Sequence, residues 1–270
     1  MTFDYDLPTI LLAFGLTLLA GLSTGIGGAI GVAHRRPGPG FLAAALGFSA
    51  GVMVLVSFVE ILPKATEHLG ESFGGAGGWL AYGAFFAGIV LIAVIDFLVP
   101  NEINPHAAGA VSGASSYQRR SAMMKTGMLT AVALALHNFP EGFATFIASL
   151  TDVGIALPIL VAIAIHNIPE GVAVAVPLRE ATGSRMKAFS LATLSGLAEP
   201  AGALIGFAIL APILGDATLG ISFAAIAGIM VFVSLDKLLP TAVSTGRHHT
   251  AIYGLIVGMA VMALSLLILE

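Results

Sequence analysis

Two short phrases put ligand-type side chains at the same spacing twice: His137-Asn138-Phe139-Pro140-Glu141-Gly142 and His166-Asn167-Ile168-Pro169-Glu170-Gly171. Residues four apart share a helix face, so His137 stands over Glu141 and His166 over Glu170. Asn138 and Asn167 lie three residues before the same glutamates and reach them from the adjoining side. Each glutamate is thereby placed to bridge two neighbouring cation positions, one flanked by imidazole and one by amide. With the two segments facing each other, four His and Glu ligands converge, a set that suits zinc or another first-row divalent ion. The Asn/Glu position is harder and suits more weakly held, better hydrated ions. Pro140 and Pro169 lack an amide hydrogen and crowd the carbonyls of Leu136 and Ile165, which predicts kinks and freed acceptors beside the ligands. The chain has no cysteine, so thiolate ligands and disulfides are excluded.

These polar phrases sit in very apolar surroundings. The 270-residue chain is 57% hydrophobic and 10% charged, far below the roughly 25% charged residues of soluble domains. Eight windows of membrane-crossing length follow one another: 7–33, 41–62, 80–99, 124–149, 156–178, 188–210, 219–240 and 250–269. The expected fold is therefore all-α and polytopic, with eight transmembrane helices in one domain over 1–270. The longest connection, about 100–123, reads as a flexible cytoplasmic linker holding His106, and an ordinary loop histidine is its simpler reading. The connection Lys64 to Gly78 reads as a Gly-rich, mildly acidic loop.

Glu199, beside Pro200, falls near the centre of the sixth window. Ionisable groups at that depth cost about 2.5–3.5 kcal/mol each even on lenient insertion scales. Three such carboxylates with no cationic neighbour in sequence call for divalent ions, or for protons when ions are away. Ten of the 11 Lys and Arg residues, Arg35, Arg36, Arg119 and Arg120 among them, fall in or beside alternate loops. The positive-inside rule then places both termini outside the cytoplasm. Asp4 and Asp6 before the first window argue against a signal peptide.

The chain also repeats itself. A shift of 177 residues sets Ala50, Gly51, Met53, Ser57 and Pro63 on Ala227, Gly228, Met230, Ser234 and Pro240. A shift of 175 sets Gly21, Gly27 and Gly31 on Gly196, Gly202 and Gly206. Windows 1–3 thus relate to 6–8, and 4 to 5, each pair running in opposite directions, as in an inverted repeat. Small-xxx-small pairs such as Gly47/Gly51 and Gly254/Gly258 suit close helix packing. Glu60, Asp96 and the pair Asp236-Lys237 lie at window ends, as passage residues or interfacial anchors. Met53 is core filler or a soft ligand, and His248-His249 a polar turn or a metal acceptor.

On the two HN-x-PEG phrases, the LSGLAEPAGA stretch around Glu199, and the FVEILP and SLDKLLP window ends, nearly the whole chain resembles the ZIP (Zrt/Irt-like) divalent metal transporters, in their bacterial form. The resemblance implies import of zinc, and with it iron, manganese or cobalt, across a bacterial inner or plasma membrane with both termini extracytoplasmic. It implies a binuclear site in which His137, Glu141, His166 and Glu170 hold the zinc-favouring ion. Asn138, Glu141, Asn167, Glu170 and Glu199 hold the second. Two departures stand out: Lys237 where such relatives tend to be acidic, and a cytoplasmic loop without a His-rich run. The implied partners are divalent ions and the bilayer, with a homodimer left open and no nucleic acid.

An enzyme reading competes with transport. A zinc protease would place Glu directly after His, as in HExxH, whereas Asn follows here. A membrane di-iron carboxylate enzyme spaces Glu three before His, whereas here His precedes Glu by four. No catalytic cofactor is expected, and no phosphate loop precedes Lys125-Thr126.

Overall fold

The computed structural model describes residues 6–33, 38–98, 116–151, 153–210 and 215–269, and every extended element among them is helical. The basic pair Arg35–Arg36 and the loop carrying His106 lie outside the described residues. Within the motif-bearing helices some side chains, that of His137 among them, also lie outside the described set.

The helices are α1 (Leu7–Ala33), α2 (Pro39–Val56), α3 (Leu62–Phe73), α4 (Gly77–Leu98), α5 (Ser116–Thr151), α6 (Val153–Thr182), α7 (Arg185–Gly196), α8 (Ala198–Leu210), α9 (Asp216–Val233), α10 (Leu239–Ser244) and α11 (His248–Leu269). Five stretches are long and apolar enough to cross a membrane: Leu7–Ala33, Pro39–Phe97, Arg185–Ile209, Asp216–Ser244 and His248–Ile268. The motif-bearing α5 and α6 add helices of 36 and 30 residues. Large apolar side chains such as Leu11, Phe86, Val90 and Leu267 face outward, while buried positions hold Asn138, Glu141, His166, Asn167, Glu170 and Glu199. An apolar exterior around a polar interior is what a lipid-facing bundle requires, and the protein is a multi-pass membrane protein.

Two expectations change. The Lys64–Gly78 connection is not a loop: α3 continues the second apolar rod through Phe73, its Leu62, Ala65 and Leu69 buried at helical spacing. The expected linker lies outside the described residues up to 115, and from Ser116 the chain is already helical.

α2 and α9 carry the same irregularity. Each widens into one π-turn, Ser57–Ile61 and Ser234–Leu238, where Leu62 N–H reaches the Ser57 carbonyl and Leu239 N–H the Ser234 carbonyl. The cause is the proline that follows each turn, Pro63 and Pro240. Its ring clashes with the carbonyl four residues back and its missing N–H breaks the α-ladder. In both copies the serine hydroxyl donates to the carbonyl four residues earlier, Ser57 to Met53 and Ser234 to Met230, each at 2.7 Å.

Helix contacts are made backbone to backbone at glycine. α1 packs on α6, α5 on α8, α2 on α11 and α4 on α9. A Cβ at Gly171 would run into the Thr24 carbonyl, and one at Gly142 into the Glu199 carbonyl. Likewise Gly27 abuts the Ile168 carbonyl and Gly202 that of Phe139. Between apolar helices in lipid this close approach, with its dispersion and Cα–H···O contacts, supplies the packing that hydrophobic burial cannot.

Candidate metal centre

The centre is assembled where α5, α6 and α8 meet α1 and α2. Gly142 brings α5 onto the backbone of Glu199, and Gly171 brings α6 onto that of Thr24, so the motif carboxylates are drawn inward with the helices. Both motif helices run on through Pro140 and Pro169. It is the sixth apolar window that is interrupted, at Leu197 between α7 and α8. Pro200 explains this: with no N–H it cannot bond the Gly196 carbonyl, and the helix restarts with Glu199 in its first turn.

The candidate ligands whose side chains are described are fully shielded. Glu141 is 1% exposed, and Asn138, His166, Asn167, Glu170 and Glu199 are 0% exposed. His166 Nε2 lies 2.7 Å from Glu141 Oε1, a contact between the two motif copies. Asn167 donates from Nδ2 to Glu199 Oε1 and to the Ala20 carbonyl, the latter at 3.1 Å. Asn138 donates from Nδ2 to the Ser195 carbonyl at 3.4 Å. With Nδ2 thus tied to backbone, each amide leaves Oδ1 for another partner. Among the described residues, Asn138 Oδ1, Asn167 Oδ1, Glu170 Oε2, Glu199 Oε2 and Thr24 Oγ1 are buried without a hydrogen-bond partner.

Acceptor oxygens collected this way, beside an imidazole and with no buried Lys or Arg among the described residues, are chemically matched to divalent cations. His137 sits on α5 one turn before Glu141, but its side chain lies outside the described residues. Of the seven expected ligands, the other six are brought into this interior.

α2 adds a group that spacing did not single out. Ser49 Oγ lies 3.3 Å from both Glu170 Oε1 and the His166 carbonyl oxygen, two acceptors that share its single hydroxyl hydrogen. Met53 Sδ lies 4.0 Å from the same hydroxyl, so Met53 stands on the wall of the centre. The only sequence signal was a serine and a methionine four apart in an apolar helix, each unremarkable alone. Thr24 was likewise silent, although a shift of 175 residues sets it on Glu199.

The peripheral candidates form ion pairs. Lys237 Nζ contacts Asp96 at 2.7 Å as well as Asp236 at 3.0 Å. Glu60 pairs with Lys64. His248 and His249 are exposed and packed edge to face.

The family model described as "ZIP Zinc transporter" matches residues 100–266. A relative from Corynebacterium efficiens named "Zinc transporter ZupT" is 68% identical over 265 residues, covering 97% of this chain and 99% of the relative. Relatives of the same name from Corynebacterium glutamicum and Streptococcus mutans are 66% and 54% identical, covering 96% and 95% of this chain and 99% and 97% of their own. Matches of this extent leave no place for the protease or di-iron readings: the chain belongs to the ZIP zinc transporter family.

Proposed function

We propose that the protein moves zinc into the cytoplasm through a midplane binuclear site, with iron, manganese and cobalt as further cargo. His137, Glu141, His166 and Glu170 hold one ion. Asn138, Glu141, Asn167, Glu170 and Glu199 hold the other, the two glutamates being shared. The observation that carries this reading is the burial of Glu141, Glu170 and Glu199 with no Lys or Arg buried beside them among the described residues. Buried carboxylates need cationic compensation, and a transported divalent ion supplies it.

The same reading has eight spans arranged as an inverted repeat, with both termini extracytoplasmic. Two sets of contacts support the repeat. The π-turns of α2 and α9 stand 177 residues apart, and the glycine contacts of α1 on α6 recur between α8 and α5. The lysine and arginine placement supports the orientation.

The deciding experiment is uptake by the purified protein in liposomes, with zinc, iron, manganese and cobalt competing across pH. Saturable zinc uptake, inhibited in graded order by the other three, is expected. Vesicles that accumulate no zinc would overturn the proposal.

A further inference from the structure

Away from the buried centre, His68, Glu71 and Asp216 offer one ligand atom each, all within 4.8 Å of one another. His68 and Glu71 stand one turn apart on the polar face of α3, and Asp216 opens α9. His68 Nδ1 lies 3.3 Å from Asp216 Oδ1. The platform beneath them is fixed: Leu69 is fully buried, and a Cβ on Gly220 of α9 would strike its side chain. The His68 ring leans on Phe223 with 6.0 Å between centroids. Packing, not the ion pair alone, therefore sets α3 against α9.

A second observation ties this cluster to the centre. A cavity of about 50 Å³ is lined by both His68 and Glu141. Its walls follow helical spacing, with Phe223 and Met230 along α9, and Glu141, Ala144 and Ala148 along α5. Phe223 touches the His68 ring, which places that end of the α9 wall beside the cluster. Lys64 also lines the cavity, but its ammonium is paired with Glu60, so it presents little repulsion to a passing cation.

We propose that His68, Glu71 and Asp216 form a capture site for a divalent cation at the mouth of this cavity, loading ions toward Glu141. The inference rests on the transport reading above. One imidazole and two carboxylates suit zinc and its first-row neighbours over magnesium or calcium. Partly exposed to exposed ligands leave coordination positions to water, so the ion is held loosely enough to leave, as a relay position requires.

The test uses the purified full-length protein in detergent, with both shared glutamates replaced (Glu141→Ala, Glu170→Ala) and zinc alone as the probe. Calorimetric titration should still find one weakly bound zinc, and His68→Ala or Asp216→Asn in that background should weaken it about tenfold or more. Residual binding that is absent, or unchanged by both substitutions, overturns the site.

A wild-type measurement covers the case in which those variants do not fold. Zinc should shield His68 from diethyl pyrocarbonate several-fold, read by mass spectrometry, while His248 and His249 stay as reactive as before. No shielding would mean that the His68–Asp216 contact only braces α3 on α9. In vesicles, His68→Ala should raise the KM for zinc about tenfold with maximal rate kept. Failure of wild-type transport would strike the proposed function, whereas failure of shielding strikes this site alone.

Discussion

His166 Nε2 lies 2.7 Å from Glu141 Oε1, so the imidazole of one motif copy serves the carboxylate of the other. Spacing along one helix pairs His166 with Glu170. The fold adds the α5–α6 interface, which brings the two copies together, and Glu170 is also met by Ser49 from α2. The candidate centre is thus a joint of several helices, and its two motif copies are not equivalent.

In the proposed binuclear site Glu141 and Glu170 are shared by both ions, and they should be irreplaceable. Glu141→Ala or Glu170→Ala is expected to reduce zinc uptake at least a hundredfold while membrane insertion stays intact. On the same proposal Asn138, Asn167 and Glu199 serve one ion each. Their alanine variants should weaken transport and reorder the preferred metals, and Ser49→Ala should raise KM more mildly, within the 10–100-fold typical of outer-shell partners. Radiozinc uptake in vesicles reads all of these, and near-normal uptake by either glutamate variant would remove the proposed site.

Much of this centre was legible because ionisable groups inside apolar helices are costly and therefore conspicuous. The repeated HN-x-PEG phrase and Glu199 carry their own signal. Ser49 does not, since a serine costs little in a membrane helix and commonly bonds its own backbone, as Ser57 and Ser234 do. The α3 segment was misread for a different reason. Gly70, Gly74, Gly75, Gly77 and Gly78 gave it the look of a loop, and its polar residues hid the period of Leu62, Ala65 and Leu69. His68 lies in the same segment and carried no separate signal. Which imidazole meets which carboxylate was beyond reach, because periodicity orders neighbours within one helix and is silent on partners across two.

Gly202 tests the backbone packing. A side chain there meets the Phe139 carbonyl, whereas one at Gly83 meets open space. Gly202→Leu should therefore cost at least the 1–3 kcal/mol usual for overpacking, lower the melting temperature and displace Glu199 from Asn167. Gly83→Ala should be neutral. Thermal unfolding in detergent compares the two, and equal melting temperatures would show that the α5–α8 contact tolerates a gap.

Topology is open to cysteine scanning, since the chain has no cysteine of its own. A cysteine at Thr2 should react with an impermeant reagent on intact cells, and one at Arg36 or Arg120 only after permeabilisation. Labelling of Thr2→Cys only in permeabilised cells would invert the orientation.

Acid should slow uptake. The imidazoles and carboxylates of the centre must shed protons to bind metal, so protons compete with zinc, and initial rates at fixed free zinc should rise from acidic toward neutral pH. An inward proton gradient should then give no acceleration. A gradient that speeds uptake would instead indicate proton cotransport.

The glycine contacts also point to what moves. α1 on α6 and α5 on α8 are locked backbone to backbone around the candidate ligands, and α2 on α11 and α4 on α9 are locked in the same manner. Where α2 meets α6 at the centre, Ser49 Oγ lies 3.3 Å from both the Glu170 carboxylate and the His166 carbonyl, a contact easily exchanged for water. Alternating access would then carry the ligand-bearing helices as one body past α2 and α9, with the two halves of the repeat offering near-equivalent end states. A cysteine at Asn138, fully buried in this structure, should react slowly from either side of the membrane, and zinc should shift the ratio of the two rates. Uptake should saturate with metal, unlike flow through an open pore. Reaction from one side only, with and without zinc, would refute this motion.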